Sequence, residues 1–228
     1  MLCDGAGRTF GSGSTAVVAI HGVSCRIEPG QRIALTGPSG SGKSTLLHLM
    51  AGLDTPTAGS VTWPALGDRT SLRPGPVAVI FQGASLLPAL DVVENVALAL
   101  VLAGASDEEA RHEANDALER LGLEALAGAL PDELSGGQAQ RVAVARALAG
   151  SPRLILADEP TGQLDHITGA AVVDALLDAS HRSGAALLVT THDPSVAERL
   201  DVRRHMVDGR ITSDRSPVPE ADATTCSD

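Results

Sequence analysis

An eight-residue loop constrains this chain more than any other feature of its sequence. Residues 37–44 read Gly-Pro-Ser-Gly-Ser-Gly-Lys-Ser and fit the pattern G-x-x-x-x-G-K-[ST]. An apolar strand pattern over Arg32–Thr36 precedes the loop, and a helical pattern over Ser44–Ala51 follows it. Glycines let backbone N–H groups turn inward around phosphate oxygens, and the start of the next helix adds a positive potential. Because a chance turn would match in only roughly one per cent of chains this long, we predict a phosphate site.

The loop also contains the only lysine of the chain. Sixteen arginines and the single Lys43 make up the cationic side chains. An ammonium is a compact charge, whereas a guanidinium is planar and larger. A single lysine at this position therefore suggests that the loop requires a compact cation. In this loop pattern the lysine reaches the β- and γ-phosphates, and the hydroxyl of Ser44 ligates Mg²⁺.

Composition excludes several other classes of protein. The formal net charge is -11, with 17 cationic against 28 acidic side chains, which argues against nucleic acid as the main partner. The scattered Cys3, Cys25 and Cys226 show no metal-like spacing and fit a reducing cytosol. The longest apolar stretch, Val92–Ala105, is interrupted by Glu94 and is shorter than the ~20 residues that span a bilayer. We therefore expect no membrane crossing by this chain.

Strand and helix patterns alternate along most of the sequence, which favours a largely parallel α/β core. The predicted strands are 17–27, 32–36, 60–63, 77–81, 154–157 and 185–190. The predicted helices are 44–51, 92–102, 106–121, one from Ser135, and 169–180. Ser106 with Glu109, and Ser135 with Gln138, have the spacing of capping boxes. The polar segment Ser213–Asp228 is expected to be a mobile tail after a single domain over residues 1–212.

Further motifs follow the loop in order. They are Leu-Ser-Gly-Gly-Gln at 134–138, Leu-Ile-Leu-Ala-Asp-Glu-Pro-Thr at 154–161, Gly-Gln-Leu-Asp at 162–165 and Thr-Thr-His-Asp at 190–193. With the loop, they resemble the ABC ATPase family: Walker A, Q-loop, signature, Walker B, D-loop and H-loop. Residues 8–11, 52–57, 85–90 and 93–96 are similar to its lipoprotein-release and macrolide-export branch. The Asn-Lys-x-Asp guanine reader of Ras-type GTPases is absent, since Lys43 is the only lysine.

This resemblance implies an α/β fold of the P-loop NTPase type. It has a mostly parallel core sheet, a small antiparallel β subdomain and a helical signature subdomain at about residues 84–150. The segment between Gly59 and Phe81 is short for this branch, which usually has a helix there. The size of the antiparallel sheet therefore stays open at this point.

The resemblance also implies ATP and Mg²⁺ as ligands. Phe10 takes the place of the usual adenine-stacking tyrosine and keeps the ring face. The nucleotide-binding residues implied are Phe10, Gly37, Pro38, Ser39, Gly40, Ser41, Gly42, Lys43, Ser44 and Thr45. The metal ligands implied are Ser44, Gln82 and Asp158.

Three residues are implied in catalysis. Glu159 is the candidate general base, His192 contacts the γ-phosphate and orients that base, and Gln82 contacts the metal and the attacking water. By themselves, Asp158 and Glu159 could form a solvated acidic turn, and Gln82 a surface side chain. Their order along the chain is what favours the catalytic reading.

The signature residues Ser135, Gly136, Gly137 and Gln138 open a helix, which is a second anion site. Simple helix capping is the alternative explanation, and it is compatible with a role at an anion site. In the family they face ATP bound to the other protomer, and Asp165 crosses the same interface, so the resemblance implies a homodimer or a paired cassette. The D-loop continues with His166 and Ile167, where relatives often carry Ser-Lys.

The leading hypothesis is an ATPase subunit that powers transport or mechanotransmission through separate transmembrane permease subunits. It would lie in the cytoplasm, on the inner face of the cell membrane. A regulatory or scaffolding ATPase of the cell-division type, which signals without transporting, is the alternative. A DNA-repair or translation ATPase is disfavoured, since the chain has no long insertion and no second cassette.

Overall fold

A six-stranded sheet organises the fold of residues 1–215, which are the residues that the computed structural model describes. The strands are β1 (Leu2–Phe10), β2 (Val17–Arg26), β3 (Arg32–Thr36), β4 (Ala58–Thr62), β5 (Val77–Ile80), β6 (Leu154–Asp158), β7 (Ala186–Thr191), β8 (Val202–Val207) and β9 (Arg210–Arg215). The helices are α1 (Lys43–Met50), α2 (Val92–Leu102), α3 (Asp107–Glu119), α4 (Gly136–Ala149), α5 (His166–Ser183) and α6 (Pro194–Ala197). The predicted α/β class is confirmed.

The order of strands in the main sheet is β5-β6-β7-β3-β8-β9. Neighbouring strands are parallel except for the β8–β9 hairpin. Every residue of β6 and β7 is buried, as expected where helices cover both faces of a parallel sheet. Because parallel strands end at the same edge, β3, β6 and β7 deliver the phosphate loop, the Asp158–Glu159 turn and His192 to one place.

A second sheet, ordered β2-β1-β4, is the small antiparallel subdomain. It keeps three strands although the segment between Gly59 and Phe81 is short. A single 3₁₀ turn at Arg69–Ser71 stands where the branch usually has a helix. The indole N–H of Trp63 donates to the carbonyl of Met50 at 2.7 Å, which ties this segment to α1.

Helices α2, α3 and α4 form a third layer with a core of its own, made of small and branched apolar residues between Val92 and Ala149. Both predicted capping boxes are present: Ser106 caps α3 with Glu109, and Ser135 caps α4 with Gln138. None of the helices within residues 1–215 combines the length and the apolarity that crossing a bilayer requires.

Some predicted boundaries were wrong. Strands β1 and β8 were not predicted, because glycine or polar residues fill five of the nine positions of β1, and three consecutive polar residues, 203–205, interrupt β8. Helix α5 begins at His166 instead of Gly169, since Asp165 caps it there. Strand β9 includes residues 213–215, the first three of the predicted mobile tail. The rest of that tail, residues 216–228, lies outside the described residues.

Two glycines of the phosphate loop have no room for a side chain. Gly37 has φ 148°, and a Cβ built on it would lie 2.1 Å from the carbonyl oxygen of Met206 in β8. Gly42 has φ 100°, and its Cβ would lie 2.6 Å from the carbonyl oxygen of Ala19 in β2. The loop is therefore pressed between both sheets, and its backbone conformation depends on glycine.

Gly37→Ala should accordingly destabilise the fold. We expect the free energy of unfolding to fall by about 1–3 kcal/mol, the usual cost of overpacking, with backbone strain added. Urea unfolding followed by the fluorescence of Trp63, the only tryptophan, measures it. Gly136→Ala is the control, because its Cβ would meet nothing within 4 Å, and it should stay within about 0.5 kcal/mol of the parent. Equal losses in the two variants would contradict this account of the loop.

Candidate active site

The ammonium of Lys43 lies at the centre of the site. Lys43 begins α1 and is 7% exposed. Its Nζ donates to the carbonyl of Gly37 at 2.8 Å and to that of Pro38 at 3.1 Å, and lies 3.7 Å from Glu159 Oε1. One buried cation thus joins the phosphate loop to the end of β6.

The turn after β6 presents two carboxylates in different environments. Asp158 is buried as the last residue of the strand, and its Oδ1 accepts a hydrogen bond from the hydroxyl of Thr190 at 2.6 Å. Glu159 has φ 45°, a left-handed conformation that costs energy outside glycine. Its backbone N–H donates to both the hydroxyl and the carbonyl of Thr190, at 3.0 and 3.1 Å. These bonds hold the strained turn.

Both carboxylate oxygens of Glu159 are engaged. While Oε1 faces Lys43, Oε2 lies 2.8 Å from Nδ1 of His192, the residue that follows β7. The His192 side chain is 70% exposed, so its ring has access to solvent or to a ligand. The arrangement fixes the direction of a carboxylate at the mouth of the phosphate loop, which is what a general base requires.

Gln82 follows β5 and is exposed. A Cβ built on Gly162, just past the Glu159 turn, would lie 3.8 Å from Gln82 Nε2. The amide of Gln82 therefore lies near the carboxylate turn, and it makes no hydrogen bond to the site among the described residues.

The donors suit a hard divalent cation. Ser44, exposed in the first turn of α1, offers a hydroxyl, and Gln82 offers an amide oxygen. Asp158 Oδ2 accepts no hydrogen bond from any described residue and so remains available to a ligand. An all-oxygen set with a single carboxylate, beside a phosphate loop, is the chemistry that Mg²⁺ takes in nucleotide sites.

Phe10 ends β1 and is 43% exposed. Its cross-strand partner Val17 is 63% exposed, so the two form an apolar platform at the tip of the hairpin. The guanidinium of Arg8 lies 4.6 Å from the centroid of the Phe10 ring and covers one of its faces. The other face remains for a flat ligand.

The signature residues lie apart from this cluster. The hydroxyl of Ser135 accepts from the N–H of Gln138 at 3.2 Å, and the Ser135 N–H donates to Gln138 Oε1 at 2.8 Å. A Cβ on Gly137 would lie 3.1 Å from Thr168 at the start of α5. Within residues 1–215, no hydrogen bond or ion pair joins residues 135–138 to residues 37–45.

Asp165 caps α5 in the same region. Its carboxylate accepts from the N–H groups of Ile167 and Thr168, each at 3.0 Å, and from the Thr168 hydroxyl at 2.7 Å. Hydrogen bonds from Thr168 lower the pKa of Asp165, so the side chain stays ionised at neutral pH. The D-loop carboxylate thus shapes its own turn, and Ile167, 85% exposed, projects from it.

Sequence reasoning missed the role of Thr190. Its hydroxyl bridges Asp158 and the Glu159 backbone, yet an apolar strand that ends in Thr-Thr does not reveal which hydroxyl faces the neighbouring strand. The register of β6 against β7, which pairs Asp158 with Thr190, decides it.

A phosphate loop, a carboxylate turn and a histidine on adjacent parallel strands are the parts of a nucleotide hydrolase, and comparison with known proteins supports that reading. A family model described as ABC transporter matches residues 20–162, well over half of the chain. The chain belongs to the ABC transporter family. It is an ATP-binding cassette and an ABC-type ATPase.

Curated relatives cover most of the chain. It is 43% identical over 210 residues to an uncharacterized ABC transporter ATP-binding protein of Mycobacterium tuberculosis, covering 89% of this chain and 85% of that protein. It is 43% identical over 201 residues to the lipoprotein-releasing system ATP-binding protein LolD of Legionella pneumophila, covering 85% of this chain and 88% of that protein. The predicted family is therefore confirmed.

Solved structures confirm the fold. A dimeric ATP-binding cassette in a post-hydrolysis state, bound to ADP and Pi, has a TM-score of 0.87 at 36% identity, over 94% of this chain and 97% of that one. Protein cbiO1 of Clostridium perfringens, part of the ABC transporter complex cbiONQ, has a TM-score of 0.82 at 26% identity, over 95% of this chain and 88% of that one.

Glu159→Gln tests the carboxylate directly. The amide keeps the size of the side chain but cannot accept a proton, so turnover of ATP should fall by at least about 10²-fold, the scale of a lost general base. ATP binding, measured by calorimetry, should persist. Glu198→Gln, at an exposed glutamate just after α6, is the matched control and should turn over ATP like the parent. Normal turnover in Glu159→Gln would remove this residue from the role of base.

Proposed function

We propose that residues 1–212 act as one cassette that hydrolyses Mg²⁺-bound ATP between two copies, and that this drives separate transmembrane subunits. The observation that carries the proposal is the Glu159 carboxylate held between Lys43 and His192. A base, a phosphate-binding cation and a histidine converge there at the mouth of a phosphate loop.

Each residue then has a defined task. The loop from Gly37 to Thr45 wraps the phosphates with backbone N–H groups, and the Lys43 ammonium exchanges loop carbonyls for phosphate oxygens. Glu159 accepts a proton from the water that attacks the γ-phosphorus, and ADP leaves in line. His192 keeps the carboxylate in its direction through Oε2, and Gln82 orients the water from the opposite side.

Mg²⁺ would be held by Ser44, Asp158 and Gln82. When bound, it neutralises the charge of the β- and γ-phosphate oxygens. The Thr190 hydroxyl occupies Oδ1 of Asp158 and so leaves Oδ2 for the ligand. Asp158 and Glu159 are adjacent in sequence, but their carboxylates have different partners: Thr190 for Asp158, and Lys43 for Glu159. One carboxylate can therefore hold the metal while the other accepts the proton.

The adenine base would stack on the open face of Phe10, beside Val17. Arg8 on the other face draws electron density from the ring and is itself paired with Asp54 at 2.7 Å. Replacement of the family's tyrosine by phenylalanine loses only a hydroxyl, so stacking needs no other change.

Two copies complete the site. Ser135 and Gly136 are exposed at the start of the 14-residue helix α4, where an anion is favoured, and no hydrogen bond or ion pair among the described residues joins them to the phosphate loop of their own chain. A second copy would supply them to the γ-phosphate, with its Asp165 and Ile167 turn at the same interface. The dimeric neighbour bound to ADP and Pi supports this pairing.

The membrane subunit would dock beside Gln82 on the helices α2 and α3. Three large apolar side chains are exposed on the segments that follow Gln82: Leu87, Val101 and Leu102, at 45%, 40% and 67%. Relatives named for lipoprotein release and for a transporter complex support a membrane partner. The chain would then lie on the cytoplasmic face of the cell membrane.

Steady-state ATP hydrolysis by the purified chain, with and without Mg²⁺ and across protein concentration, tests the proposal. Activity per molecule should need Mg²⁺ and rise with concentration, because the site forms only in the dimer. Activity that is independent of concentration would contradict the shared site, and absence of ATP binding would contradict the whole proposal.

A further inference from the structure

One helix holds the backbone on both sides of Gln82. Gln140 in α4 is buried, and its Nε2 donates to the carbonyl of Phe81 at 3.1 Å. Arg146, two turns further along α4, donates from Nη2 to the carbonyl of Ala84 at 3.1 Å and from Nη1 to that of Ser85 at 3.0 Å. The residue before Gln82, and the second and third residues after it, are thus tied to a single rigid element.

In the part of the chain that the structure describes, the guanidinium of Arg146 is hydrogen-bonded to backbone carbonyls and not to a carboxylate. It is partly buried, which lowers its pKa by desolvation, and it has no acidic partner among the described residues. Both hydrogen bonds that it makes within residues 1–215 go to backbone carbonyls of one segment. A desolvated charge without an ion pair is costly, so these two bonds are the compensation that the structure shows.

The segment that Arg146 holds is strained. Ser85 has φ 48°, a left-handed conformation that a residue other than glycine adopts only when its surroundings impose it. The guanidinium reaches the carbonyls of Ala84 and Ser85 from two separate nitrogens of one rigid plane, a geometry that lysine, whose hydrogen bonds all leave from a single nitrogen, does not reproduce. The two hydrogen bonds from Arg146 therefore stabilise the strained backbone at Ser85.

We infer that Arg146 and Gln140 are positioning residues for Gln82, and that they couple its amide to the signature helix. Helix α4 is about 21 Å long and begins at Ser135, so a shift of its start is transmitted to the segment 81–85 through these three hydrogen bonds. The inference rests on the proposed function, in which Gln82 orients the attacking water and Ser135 contacts nucleotide of the second copy.

Arg146→Lys tests the inference, since it keeps the charge and removes the rigid two-nitrogen geometry. We expect kcat for ATP to fall about tenfold, the scale of one charge-assisted hydrogen bond, with KM unchanged. Arg141→Lys is the matched control in the same helix, because Arg141 donates to Leu121 and not to the Gln82 segment, and its kcat should stay at the parental value. An unchanged kcat in Arg146→Lys, or an equal loss in Arg141→Lys, would overturn the inference.

A double-mutant cycle separates positioning from simple destabilisation. If Arg146 acts through Gln82, Arg146→Lys should cost no further kcat in a Gln82→Ala background. If instead the two substitutions lower kcat independently, so that their fold-losses multiply in the double variant, the inference is overturned while the proposed function stays intact. If Arg146→Lys unfolds, as Trp63 fluorescence would show, Gln140→Leu takes its place in the same cycle with the same expectation. A parent chain that never hydrolyses ATP would instead overturn the proposed function, and this inference with it.

Discussion

The contact between Lys43 and Glu159 is the interaction on which the rest of the site depends. It brings the ammonium of Lys43, at the start of α1, within 3.7 Å of the carboxylate of Glu159, the residue after β6, at the edge of a parallel sheet. That approach needs a phosphate loop of fixed shape, and Gly37 and Gly42 supply it because the backbones of β8 and β2 leave no room for a Cβ. It also needs the left-handed turn at Glu159, which Thr190 stabilises. The approach of Lys43 to Glu159 therefore depends on the order of the strands, on the positions of two glycines and on one threonine hydroxyl.

The helical layer is hydrogen-bonded to the segment that contains Gln82. Its α4 starts at the exposed Ser135 and, further along, holds the carbonyls around Gln82. The end that would meet nucleotide of a second copy and the side that packs against α2 and α3 thus belong to one element. Helix α4 packs in the core that it shares with α2 and α3 and, through Val144, in the core of the main sheet, so a shift of this helix reaches both layers.

Much of this could be predicted from the sequence because the motifs have fixed local structure. The loop at 37–44, the capping boxes at Ser106 and Ser135 and the buried strands β6 and β7 each carry their own signal. Strand β1 could not be predicted, because its glycines and polar residues do not form a strand pattern by themselves. Its extended conformation is stabilised by pairing with β2 and β4. Thr190 and Arg146 were missed for a related reason: their partners are set by strand register and helix packing over long sequence distances. The role of Phe10 in stacking stays a prediction.

The shared nucleotide site is the central claim, and sedimentation of the Glu159→Gln chain with ATP tests it most directly. Without turnover, ATP should hold two copies together, so the sedimenting mass should double when ATP is added. Adding Gly136→Asp places a carboxylate where the γ-phosphate of the other copy would lie, at an exposed position where a Cβ meets nothing within 4 Å in its own chain. That double variant should still bind ATP and remain monomeric. A Glu159→Gln chain that binds ATP as a monomer, or a dimer indifferent to Gly136→Asp, would contradict the account.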